Sequence, residues 1–290
     1  MPVYDYTYQT WKGERRGAFL RWLAMPRFTY MDLFKKRQVI ILFMFCCLQF
    51  LLRLAYQYLR VNEELLALLK IGANLPDVDA KYFRGFLDGQ LFASLVFSFT
   101  LTAVITDDLI HHAIVLYMSK PISRWEYFAG KFLTVFLPLS FLTIIQAVAL
   151  YVIQIAIAPE PDNWHLYFWK DYAWILKSLI LYGGVISVTL SLLILTASCL
   201  TKNRRYSGII FLVTIIGLDL IANTTSEILL NKGYLAISPL RAVLDIGKYC
   251  FHTADYRLSL LDAWGGVLLC WEICTFILYR RISRAARYEH

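Results

Sequence analysis

Four ionisable residues, Arg53, Lys177, Asp219 and Glu272, stand inside or beside long apolar runs. A charged side chain at the centre of a membrane-spanning helix costs about 2.5–3.5 kcal/mol on insertion scales, so it is expected to be paired, to face a cavity or to reach the interface. Arg53 and Lys177 lie near the ends of their runs, where long stems extend to the headgroups. Asp219 and Glu272 are too short for that. They read equally as members of a structural pair or as the lining of a polar cavity or subunit contact. Arg53 and Lys177 are the candidate partners of Asp219, because all three occupy the outer halves of their runs.

Other chemistry fits poorly. An intramembrane aspartyl protease needs two facing aspartates, and Asp219 is the only one well inside a run. The five histidines (His111, His112, His165, His252 and His290) fall in connecting segments or at the terminus, which removes a serine–histidine pair within the bilayer. His111 and His112 are adjacent, whereas two ligands on one helix face need i, i+4 spacing, and no metal site is expected. The six cysteines lack C-x-x-C spacing and sit mostly in apolar runs, so they read as buried small hydrophobes.

The elements that hold these residues follow from composition. Of 290 residues, 59% are hydrophobic and 17% charged, against about 45–50% and 25% in soluble domains. A soluble chain of this length cannot hide that much apolar surface, and unbroken apolar runs exclude an outer-membrane barrel. The expected fold is all-α: a single polytopic domain over residues 1–290 with six spans. These are placed at about Gln38–Leu59, Gly89–Thr106, Phe132–Ala158, Tyr172–Leu200, Ser207–Ala222 (a short one) and Asp262–Tyr279. The net charge of +8 belongs to the membrane rim and not to a nucleic-acid surface. The terminal segments and the second-to-third and fourth-to-fifth connections carry 18 Lys and Arg, the opposite connections 9. The positive-inside rule then places both termini in the cytoplasm, in a cell inner membrane. The first apolar run is too long, and its leader too long and aromatic, for a cleavable signal. Residues 1–37 read as a cytoplasmic leader with an interfacial helix broken near Pro26. Residues 223–261 read as short re-entrant or surface helices on the outer side.

The most informative segment is Asp107 to Lys131, on the cytoplasmic side. It reads as a short helix from Asp107 to Met118, a break governed by Pro121, and a second helix after Ser123. Ser123 and Glu126 have capping-box spacing. Such an elbow, joined rigidly to two spans, is able to pass force between a soluble partner and the membrane; it is also what a well-capped connector looks like.

This segment resembles the coupling-helix loop of the ABC-2 (type-2 ABC exporter) permease family. There an acidic pair closes the second span, a Ser-x-Pro-Ile-Ser-Arg stretch follows, and a Gly-Lys opens the third. Here these are Asp107-Asp108, Ser119-Lys120-Pro121-Ile122-Ser123-Arg124 and Gly130-Lys131. The layout of an interfacial helix, six spans and a Ser-Pro-Leu segment between spans five and six is similar too. The chain departs from the family pattern at His111-His112-Ala113, where relatives often carry an Arg or a Gly-Thr. The resemblance implies a permease subunit without enzymatic activity of its own. It would pair with a second copy or a homologous permease on two cytoplasmic ATPase subunits, which bind the ATP and Mg. In agreement, the chain lacks G-x-x-x-x-G-K-[ST]: Trp125 stands where the first Gly is needed before Gly130-Lys131. The alternative is a non-transporting anchor or mechanical transducer of an ATPase-driven envelope assembly or signalling complex.

Overall fold

The computed structural model describes residues 24–62, 77–111, 113–118, 123–157, 172–253 and 256–285. Six helices in it are long and apolar enough to cross a membrane, and the described residues contain no strand. The chain is an all-α polytopic protein. After a short α1 (Ala24–Leu33), span one is α2 (Arg37–Val61). Span two is α3 (Ala80–Leu101), followed by a turn and α4 (Thr106–Ile110). A short α5 (Ala113–Met118) precedes span three, which is α6 (Arg124–Ser140), a π-helical turn (Phe141–Ile145) and α7 (Gln146–Ile157). Spans four, five and six are α8 (Ala173–Leu200), α9 (Arg204–Ile228) and α11 (Leu260–Ala285). Between the last two lie a 3-10 turn (Lys232–Ile237) and α10 (Pro239–Cys250).

Span four is the hub. Its most apolar stretch is 78% buried, against 11% for span one and 17% each for spans five and six. Lipid tails give helices no hydrophobic reason to associate, so close approach depends on small residues and internally satisfied hydroxyls. Span four supplies both. A Cβ on Gly183 would meet Ile144 Cγ1 at 3.0 Å. Ser187 and Ser191 donate to the carbonyls four residues back, at 2.8 and 2.6 Å.

Span three carries the π turn just after Pro138. Proline has no N–H, so it leaves the Thr134 carbonyl without its donor and perturbs the following turn. Two side chains repair the region. Tyr30 of α1 donates its hydroxyl to Thr134 O at 2.9 Å, and Thr143 in the π turn shares a 2.8 Å hydrogen bond with Ser187 of span four. A helix defect in one span thus becomes the docking point for α1. Burial pushes the Tyr30 hydroxyl pKa up, which keeps it a donor.

Several expectations are corrected. Span five is not short: α9 has 25 residues. Its polar end (Asn223, Thr224, Thr225) stays helical because the threonine hydroxyls bond back to carbonyls of the preceding turn. Span two begins at Ala80, nine residues before the expected Gly89, with Asp79 capping it through the Tyr82 amide. Arg84 and Asp88 therefore lie on a helix and not in a loop. α1 runs through Pro26 within its described residues, Ala24–Leu33, with no break there. The expected helix from Asp107 to Met118 is two helices, α4 and α5, with the first already starting at Thr106. The leader up to residue 23 and the segment 63–76 lie outside the described residues.

Candidate functional site

The ends of α4, α6, α8, α9 and α11 meet with α1 on one face of the bundle, and the described residues of the segment 107–131 lie there. Span two breaks at Thr102–Ile105, leaving the amides of a new helix start without partners. They are capped from span four. Ser198 Oγ accepts from Ile105 N at 2.8 Å and Thr106 N at 3.0 Å, and Thr106 Oγ1 donates back to Ser198 O at 2.7 Å. All of these groups are buried.

The acidic pair divides its work. Asp108 turns inward: its Oδ2 lies 2.7 Å from Lys131 Nζ and accepts the Tyr127 hydroxyl at 2.7 Å. Lys131 also donates to Val104 O at 3.2 Å. The Lys131 and Asp108 side chains are only 5% and 13% exposed, and Tyr127 is fully buried. A buried pair held this way is costly to break on one side, about 3–5 kcal/mol, so it fixes the angle between spans two and three. Asp107 turns outward to Arg204 at the start of span five, at 3.8 Å with both side chains open to water, a contact worth little.

The second arm of the elbow starts as its spacing predicts. Ser123 Oγ accepts from Glu126 N at 3.2 Å, and Glu126 Oε2 accepts from Ser123 N at 2.6 Å. Gly130 is buried, and its carbonyl accepts from Thr134 Oγ1 at 2.8 Å. Arg124 reaches Ser283 at the end of span six at 3.5 Å, the limit for a hydrogen bond. Trp125 stacks on Tyr279, with ring centroids 5.1 Å apart. Met25, Ile114, Tyr127 and Ile282 form a small core that joins α1, α5, α6 and the end of span six. Burial, and then the Asp108 carboxylate, raise the Tyr117 pKa beside it. A polar cleft of about 210 Å³ opens between α1 and the elbow, with Asp32, Asp107, Asp108, Lys36, Lys131 and Arg204 in its wall. His111 is exposed on the connection between α4 and α5. His112, Ser119, Lys120, Pro121 and Ile122 lie outside the described residues.

The charges expected inside spans go to separate places. Asp219 does not pair with Arg53 or Lys177. It accepts from Arg241 Nε at 2.5 Å and Nη2 at 3.0 Å, and from Ser238 Oγ at 2.9 Å. Ser238 and Arg241 are the N-cap and third residue of α10, which packs back on span five and delivers them at the depth of Asp219. Hydrogen bonding to Asp219 raises the Arg241 pKa further. Arg53 lies 4.7 Å over the Tyr82 ring. Lys177 is exposed near the start of span four, and Glu272 is exposed midway along span six.

A second polar cluster, on the opposite face, is one that the sequence reading misses. Tyr182 donates to Asp88 Oδ1 at 2.6 Å. Arg84 pairs with Asp88 at 3.2 Å, off the hydrogen-bond direction, and donates to Thr253 at 2.6 Å. Asp245 on α10, only 3% exposed, accepts from Lys248 and from the amides of Arg257 and Leu258. Arg84 thus ties the end of the α10 segment to span two, and Ser178 of span four donates to Cys250 O at the end of α10 at 2.7 Å. The i, i+4 spacing of Arg84 and Asp88 is visible in the sequence. Tyr127, likewise i, i+4 from Lys131, is the signal for an inward-facing polar stripe. Nothing in the sequence marks Ser198.

Compared with known proteins, the chain matches no family model, and no curated protein is significantly similar to it.

Proposed function

We propose that this chain is the membrane-spanning permease subunit of an ATP-driven exporter of the ABC-2 type. In this reading it lies in the cell inner membrane with both termini in the cytoplasm. Cytoplasmic ATPase subunits, two per complex, bind ATP and Mg and dock on the elbow. A second permease copy or a homologue completes the assembly. The chain is no enzyme itself: it converts ATPase closure into movement of its spans and of a substrate across the bilayer.

The observation that supports the reading is the bracing of the described arms of the elbow. Asp108, Tyr127 and Lys131 lock spans two and three together behind it, and the capping box makes the entry to span three rigid. Force applied at Ser123–Glu126 would thus reach two spans without being absorbed locally.

The test is affinity purification of the intact chain in mild detergent from its native membrane. An ATPase should be retained in equal number, and its hydrolysis should respond to the permease. Arg124→Glu should release the ATPase while the chain stays folded and inserted. A folded chain that retains no ATPase overturns the reading.

A further inference from the structure

The face of span six that carries Glu272 is not explained by packing within this chain. Trp125, Leu268, Trp271, Glu272, Phe276 and Tyr279 line an open groove of about 800 Å³ between span six and the start of span three, floored by Leu192 of span four. Glu272 is twelve residues from either end of the span Leu260–Arg284, roughly 18 Å at the helical rise. That is the middle of a bilayer whose apolar core is about 30 Å thick. It is exposed, and among the described residues it has no hydrogen bond or ion pair. The first cation beyond it on its own helix, Arg280, is about 12 Å along the axis and lies 5.4 Å over the Phe276 ring.

The groove wall is already ordered. Trp271 Nε1 donates to Thr189 Oγ1 at 2.9 Å, which fixes the indole beside Glu272. Trp125 and Tyr279 are stacked at the other end. A carboxylate next to fixed aromatic rings, in a low-dielectric setting, selects a cation, because ring faces and carboxylate attract the same charge. A second copy of the chain does not provide it. Symmetric copies related by an axis along the membrane normal meet at equal depth. Among the described residues, Arg53 is the cation nearest the middle turns of a span; it is half-buried and engaged over the Tyr82 ring of its own chain.

We propose that this groove is a lateral binding site for an amphipathic cation, a quaternary ammonium or phosphonium group on a hydrophobic body. Glu272 is its counter-ion and Trp271 its main aromatic wall. The apolar body remains in the lipid, so the ligand enters sideways from the bilayer and not through an aqueous mouth. The site does not depend on the exporter reading, since it is tested at equilibrium with no ATPase present.

The experiment is binding of radiolabelled tetraphenylphosphonium to the purified chain in phosphatidylcholine nanodiscs, with empty nanodiscs subtracted. One saturable site per chain is expected, displaced by dodecyltrimethylammonium and not by an uncharged dodecyl ether. Glu272→Gln should weaken binding by about tenfold or more, the size of one lost desolvated charge contact. Should Glu272→Gln fail to fold, Phe276→Lys tests the same point. It places an ammonium at i+4, where it pairs with Glu272 in cis, and it should remove binding from a stable protein. Absence of saturable binding, equal binding by the variants, or equal displacement by the uncharged ether overturns the proposal. So does efficient cross-linking of a cysteine at position 272 to a second protein chain.

Discussion

Replacing Lys131 by Met tests whether the cluster behind the elbow is a structural lock. The substitution keeps length and apolar volume and removes the ammonium that faces Asp108 at 2.7 Å. With the two side chains only 5% and 13% exposed, water cannot take over solvation of the stranded carboxylate. Breaking a buried pair on one side costs about 3–5 kcal/mol. Tyr127 continues to donate to Asp108, so the lower end applies, about 3 kcal/mol. At about 2–4 °C per kcal/mol for a domain of this size, the unfolding midpoint should fall by about 6–12 °C. Unfolding of the detergent-solubilised protein, followed by tryptophan fluorescence at one fixed scan rate, measures it. The double variant Asp108→Asn/Lys131→Met should recover most of the loss, because the side-chain amide at position 108 is neutral and its oxygen still accepts from Tyr127. The reasoning is refuted if the single variant shifts the midpoint by less than about 2 °C, or if the double variant loses the sum of the two singles.

Further outcomes follow from other contacts. Ser198→Ala strands two buried amides and should cost about 1–3 kcal/mol, with hydrogen exchange rising at Ile105 and Thr106 before other amides of span two. Arg241→Met should loosen α10 from span five by about 1 kcal/mol, since the pair is partly exposed; faster proteolysis around residues 229–238 would report it. Gly266→Ala should be strongly destabilising, because its Cβ would collide with the Ala236 carbonyl oxygen, whereas Gly265→Ala and Gly217→Ala meet nothing within 4 Å and should be tolerated in the same melt. Burial pushes the Cys250 thiol up to about 11 from 9.0, so at pH 8 it should label with maleimide about a hundredfold more slowly than a free thiol. Labelling should become fast in denaturant.

The amount of structure legible in the sequence depends on which forces are local. Span number and approximate position follow from apolar length, because only a helix satisfies its own backbone inside lipid. The capping box at Ser123 and Glu126 is equally legible, since its partners are three residues apart. The ends of spans two and five are misplaced when charge is read as the mark of a loop. Arg84 and Asp88 sit on span two, where each also has a distant partner, Thr253 and Tyr182, and Thr224 and Thr225 stay helical by bonding back to their own helix.

The amino-acid sequence on its own determined the six-helix class, the basic asymmetry between connections, the capping box at Ser123 and Glu126, and the mid-span position of Glu272, all set by composition or by spacing within a few residues. Only the tertiary structure decided that Asp108 faces Lys131 and Tyr127, that Ser198 caps the break in span two, and that Arg241 reaches Asp219. It alone left Glu272 in an open aromatic groove. The physical reason is the same in each case. A polar group inside a membrane bundle needs a partner, but the sequence states only the need, and the choice among partners is made by helix packing across 19 to 93 residues of separation.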